Sequence, residues 1–128
     1  MREYRFRGKT KATGEWVYGD LLHVDNRMCI IPNINVDDID VCTLEVDLET
    51  VGQYIGLHDK SGKEIYEGDI VKLCDTNPIL FRVEIILARY GYKTVFKLLD
   101  DGTIAQCYFL DKCEVVGNIH DNPELLMV

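Results

Sequence analysis

Apolar positions along this chain recur mostly at a spacing of two, and the short apolar runs are separated by Gly, Asn and Asp, which is the pattern of β-strands joined by tight turns. Tyr4 and Phe6 alternate with basic residues in a first strand. Thr13-Gly14 turns the chain into a second strand over Trp16 to Val24, and Asp25-Asn26 turns it again into Met28 to Ile31. A β-meander is the simple outcome. Pro32 and Asn33 are expected to end the third strand, residues 33 to 40 are too polar to place, and Cys42, Leu44 and Val46 alternate as another half-buried strand.

From Gly52 to Val71, apolar residues at strand spacing alternate with turn formers. Asp59-Lys60-Ser61-Gly62 has Asp at the first turn position and Gly at the last, and Glu67-Gly68-Asp69 supplies a second sharp change of direction before Ile70-Val71. Gly56, Asp59, Gly62, Gly68 and Asp69 are therefore read as a structural signature that sets geometry. Beyond it, Ile70 to Cys74 reads as a short strand and Asp75-Thr76-Asn77-Pro78 as a loop. Phe81, Val83, Ile85 and Leu87 fall on one face of a long strand, with Leu80, Arg82, Glu84 and Ile86 on the other. Val95 to Leu99 and Ile104 to Phe109 flank the hairpin signal Asp100-Asp101-Gly102, and Cys113 to Gly117 closes the series. Asn122-Pro123-Glu124-Leu125-Leu126 has a cap residue followed by Pro, enough for one terminal turn of helix. The expected fold is mostly β: an N-terminal β-meander subdomain (1–50) joined without a flexible linker to an SH3-like small barrel (51–128), with Gly68-Asp69 at a corner of the barrel.

The run from Gly52 to Val71 resembles the signature of the YopX family of phage and prophage proteins. Arg5-Phe6-Arg7, Trp16-Val17-Tyr18-Gly19-Asp20-Leu21 and the closing stretch from Glu114 to Leu126 resemble elements of the same family in the same order. Residues 25 to 45 and 74 to 112 match no family motif, so the resemblance covers somewhat more than half of the chain. It implies a phage-borne single YopX-like domain and carries no catalytic, cofactor or ligand residues with it.

Charge narrows the partners. A net charge of −8 opposes general affinity for nucleic acid or anionic membrane, which need a positive surface. The charge is also segregated. Residues 1 to 11 carry five basic groups against Glu3, whereas residues 37 to 49 carry six acidic groups and no basic one, so opposite faces attract within one molecule or between two. The opening Met1-Arg2-Glu3-Tyr4 is charged and has no apolar h-region, no apolar run reaches membrane-spanning length, and the five cysteines are odd in number. A reducing bacterial cytoplasm is the expected location.

Candidate chemistry is sparse. His58, Asp59, Glu64, Glu67 and Asp69 cluster around the signature, where a His beside carboxylates allows acid/base catalysis. Turn chemistry explains the same residues, and no nucleophile stands beside a base. Cys29, Cys42, Cys74, Cys107 and Cys113 include no Cys-x2–4-Cys pair, so they are read as buried free thiols, with no metal or cofactor expected. Arg82, Arg89, Lys93 and Lys97 interleave with Phe81, Tyr90, Tyr92 and Phe96, which makes Arg82, Arg89 and Lys93 the candidate nucleic-acid contacts. Tyr4, Trp16 and Tyr18 are read as core or as a self-association surface. The leading functional expectation is a non-catalytic interaction or assembly module that binds a phage or host protein or its own copies, as a homo-oligomer. A nucleic-acid-associated role ranks second, and an enzyme acting near His58 and Asp69 ranks third.

Overall fold

The computed structural model describes residues 4–32, 43–73, 79–105 and 112–126. Among them the chain is mostly β, with eleven strands in two antiparallel sheets, two single turns of 3-10 helix and no α-helix. It divides into two compact units, Met1–Tyr54 and Ile55–Val128.

The first unit is built of consecutive antiparallel strands. Strands β1 (Phe6–Lys9), β2 (Trp16–Val24), β3 (Arg27–Pro32) and β4 (Leu44–Val46) pair in the order β4-β3-β2-β1, and β5 (Gly52–His58) joins the other edge of β1 through Phe6↔Gln53 and Arg7↔Gly52. Ile30 and Val46 supply its fully buried apolar side chains. Pro32 stays in β3, paired with Gly19, because a residue lacking an N–H is tolerated at the end of a strand. Gly19 allows close approach at that point, since a Cβ built there would lie 1.9 Å from the Ile31 carbonyl oxygen.

The second unit begins within β5 and continues through β6 (Glu64–Tyr66), β7 (Asp69–Leu73), β8 (Ile79–Ala88), β9 (Gly91–Leu98), β10 (Ile104–Ala105) and β11 (Cys113–Asn118). Its five-stranded sheet runs β10-β9-β8-β7-β11, so the last strand returns to the free edge of β7. Alternation puts Val71, Phe81, Val83, Phe96 and Cys113 on one side of that sheet, where they form the core with Ile55 and Ile65. Full burial of such side chains stabilises by about 1.5–3 kcal/mol each. The corner at Glu67-Gly68 is held by two backbone hydrogen bonds. Gly68 has φ 94°, its N–H donates to Val83 O at 2.8 Å, and its carbonyl accepts from Ile119 N at 2.9 Å.

Several expectations need correction. Strand β9 starts at Gly91 rather than Val95 because β8 pairs with it along its whole length. Leu87 keeps to the face of β8 that carries Phe81, Val83 and Ile85, but it is 71% exposed. Tyr4 and Tyr18 are exposed and Trp16 is half-buried, so these three rings do not form a core. The terminal helical turn is 3-10, over Pro123–Leu126. Cys29 and Cys113 are buried free thiols. Cys42, Cys74, Cys107, the loop at Asp75 to Pro78 and the strand continuation to Phe109 lie outside the described residues.

Candidate interaction surface

Among the described residues the longest two-stranded element is the β8–β9 hairpin. Its register ends at Ala88↔Gly91, leaving Arg89-Tyr90 as a two-residue turn. Strand β7 pairs with β8 only over Ile79–Arg82, so the hairpin runs past it by Val83–Ala88, a reach of roughly 20 Å at strand rise. Side-chain alternation continues past the point where cover ends. Phe81 and Val83, with Phe96 opposite, are core at the root of the hairpin, Ile85 is half-buried, and the same row emerges as Leu87 facing Tyr92. Leu87 is 71%, Tyr92 77% and Tyr90 94% exposed, which gathers three large apolar side chains at one tip.

The opposite row of the hairpin carries charge. Glu84 Oε1 lies 2.8 Å from Arg82 Nε, and Glu84 Oε2 lies 2.7 Å from Lys97 Nζ, so one carboxylate engages both cations at the root. Arg89 stands over the Tyr90 ring at 5.7 Å from its centroid, and Lys93 lies one position beyond Tyr92. Of the basic-aromatic set, Arg89, Tyr90 and Tyr92 lie at the tip, and Lys93 stands next to them on the opposite row, across from Ile86. Phe81 and Phe96 are core, and Arg82 and Lys97 are paired with acid.

The signature residues form a structural clamp. Gly62 closes the turn by donating to Asp59 O at 3.0 Å. The Asp59 side chain is buried in the turn: its Oδ1 accepts from Ser61 N and Lys63 N, each at 2.9 Å, and its Oδ2 accepts from Val115 N at 3.0 Å. Lys60 N also donates to Cys113 O at 3.0 Å, so the turn is fastened to β11 by two bonds. Burial pushes the Asp59 carboxyl up, but the N–H groups of Val115, Lys63 and Ser61, with the Lys63 charge, outweigh it and hold the carboxyl below its ordinary value. Asp69 is buried as well, and its Oδ2 accepts from Tyr66 N at 2.8 Å across the corner. Both signature aspartates thus hold backbone amides, while His58 is exposed and Gly56 lies in β5. The bond from Asp59 to Val115 spans 56 positions, and no local pattern marks it.

The basic N-terminal segment is engaged inside its own unit. Arg5 stands 5.9 Å from the Tyr54 ring, while Arg7 at 4.5 Å and Lys9 at 5.4 Å share Trp16. Lys11 pairs with Glu45 at 3.4 Å, joining the basic segment to the acidic one within the molecule. The acidic segment also presents the turn Asp47-Leu48-Glu49, in which Leu48 is 64% exposed and both carboxylates face solvent. There the Asp47 carboxylate caps the 3-10 turn by accepting from Glu49 N at 3.2 Å.

The fold and this surface define an all-β protein of two antiparallel sheets with a projecting, aromatic hairpin. The chain belongs to the YopX family: the model described as YopX protein matches residues 5–127, and so runs through both stretches that show no motif by eye. A crystal structure of protein EF1440 from Enterococcus faecalis is similar, with a TM-score of 0.61 and 27% identity over 98% of this chain and 99% of that one. No curated protein matches the chain. No helix among the described residues is long and apolar enough to cross a membrane.

Proposed function

We propose that this YopX protein is a non-catalytic interaction or assembly module of a phage or prophage, acting in the bacterial cytoplasm, with the β8–β9 hairpin tip as its contacting element. The carrying observation is the exposure of Leu87, Tyr90 and Tyr92 together on a hairpin that runs past its neighbouring strand. Aromatic side chains supply large contact area at small conformational cost, and clusters of them mark protein interfaces. The roles of Asp59 and Asp69 as backbone acceptors support a structural signature over a catalytic one. The meander β7-β8-β9-β10 with β11 returning to β7 supports reading the second unit as an SH3-like small barrel.

The test compares the tagged protein with its Leu87→Ser/Tyr90→Ser/Tyr92→Ser variant in lysate from prophage-induced cells. The proposal expects one phage or host protein at stoichiometric level with the parent chain, lost with a variant that melts at the same temperature. Equal recovery of that protein by the variant contradicts it. A nucleic-acid role is favoured only by the grouping of Arg89 and Lys93 with the two tyrosines, and is opposed by the net charge of −8 and by the pairing of Arg82 and Lys97 with Glu84. Retention on DNA or RNA at low salt that disappears in Arg89→Glu/Lys93→Glu would establish it.

A further inference from the structure

The tip and the Asp47-Leu48-Glu49 turn are opposite in charge and alike in exposing apolar surface. From Ile85 to Lys97 the sequence holds Arg89, Lys93 and Lys97 and no acid, and Lys97 is engaged by Glu84, which leaves two cations at this end of the hairpin: Arg89 in the turn with Tyr90, and Lys93 on the row opposite Leu87 and Tyr92, across from Ile86. Among the described residues neither Arg89 nor Lys93 forms an ion pair. The turn sets a 64% exposed leucine between two solvent-facing carboxylates. A basic tip on a chain of net charge −8 is steered toward acidic surface, and a second copy supplies it at the same concentration as the tip itself.

Resting on the reading of the tip as the contacting element, we propose that its occupant is a second copy of this chain: the hairpin tip of one copy docks on the Asp47-Leu48-Glu49 turn of another. Arg89 and Lys93 then meet Asp47 and Glu49, and Leu87, Tyr90 and Tyr92 cover Leu48. The two tyrosines offer roughly 400 Å² of surface at about 150–250 Å² each, about half of the ~800 Å² per partner of a standard interface. The contact is therefore weak and salt-sensitive, and it shows at high protein concentration and low ionic strength.

Sedimentation of the pure full chain across a hundredfold concentration range at low salt tests this. Arg89→Glu/Lys93→Glu reverses the tip, and Leu48→Arg/Glu49→Arg reverses the turn while leaving Asp47 to cap it. Thermal melts confirm that both variants fold. The parent chain is expected to self-associate with concentration, each variant alone to stay monomeric, and an equimolar mixture of the two to associate again, because each reversed patch meets its opposite. A parent chain that is monomeric throughout, or association that persists in either variant alone, overturns the proposal. If self-association fails while the serine-tip variant still loses a stoichiometric partner from lysate, the fault lies in the occupant assigned here and not in the tip.

Discussion

Replacing Asp59 by Ala removes one carboxylate and deprives three backbone N–H groups of their acceptor, those of Ser61, Lys63 and Val115. Ser61 and Lys63 are exposed, so water reaches their amides and the loss of each bond costs about 0.5 kcal/mol. Val115 N belongs to β11 and loses a bond to a charged acceptor, at a cost of about 2 kcal/mol. The expected destabilisation of the second unit is about 3 kcal/mol, which at a urea m-value of about 1.5 kcal/mol/M lowers the midpoint by about 2 M. Because the folded-state pKa of Asp59 lies below its ordinary 3.8, its contribution is complete above that value and is lost as pH falls through the depressed one. Urea titrations followed by far-UV circular dichroism should therefore show the gap between parent and Asp59→Ala at pH 7 narrowing toward pH 2. An unchanged midpoint at pH 7, or a gap that does not depend on pH, would refute the clamp.

Gly68→Val places a β-branched residue at φ 94° and should cost about 2 kcal/mol or more, read as a fall in melting temperature; an unchanged melt would contradict the corner. Gly19→Ala forces β2 and β3 apart at the Ile31 carbonyl and is expected to cost about 3 kcal/mol or abolish folding, measured by urea titration of the first unit through Trp16 fluorescence. Glu84→Ala releases Arg82 and Lys97 and should destabilise by about 1 kcal/mol at low salt, with a smaller effect at high salt.

Local chemistry explains what was legible in the sequence. Trp16 to Val24 lies between two turn signals and forms a strand over that span, and Asp100-Asp101-Gly102 turns the chain from β9 into β10, with Gly102 N donating to Leu98 O at 2.9 Å. The signature aspartates were recognisable as turn residues, but the bond from Asp59 to Val115 joins positions that only the folded chain brings together. Leu87 was given its correct face, and its exposure was not legible for a different reason. A period of two assigns a residue to a face of a strand and says nothing of whether another element covers that face, and β8 outruns its cover. The basic-aromatic run was legible as a candidate surface, but the same limit hid which of its aromatic rings are exposed: Tyr92 carries the pattern of Phe96 and lies where the core has ended.

On the reading proposed above, this protein makes its contacts through the hairpin tip. The most direct measurement of this is photo-crosslinking in prophage-induced cells, with p-benzoylphenylalanine placed at Tyr92 and, as a control, at exposed Glu15 in the β1–β2 turn. A discrete crosslinked product from position 92 and none from position 15 is the expected result. No product from position 92, or the same products from both positions, would contradict it.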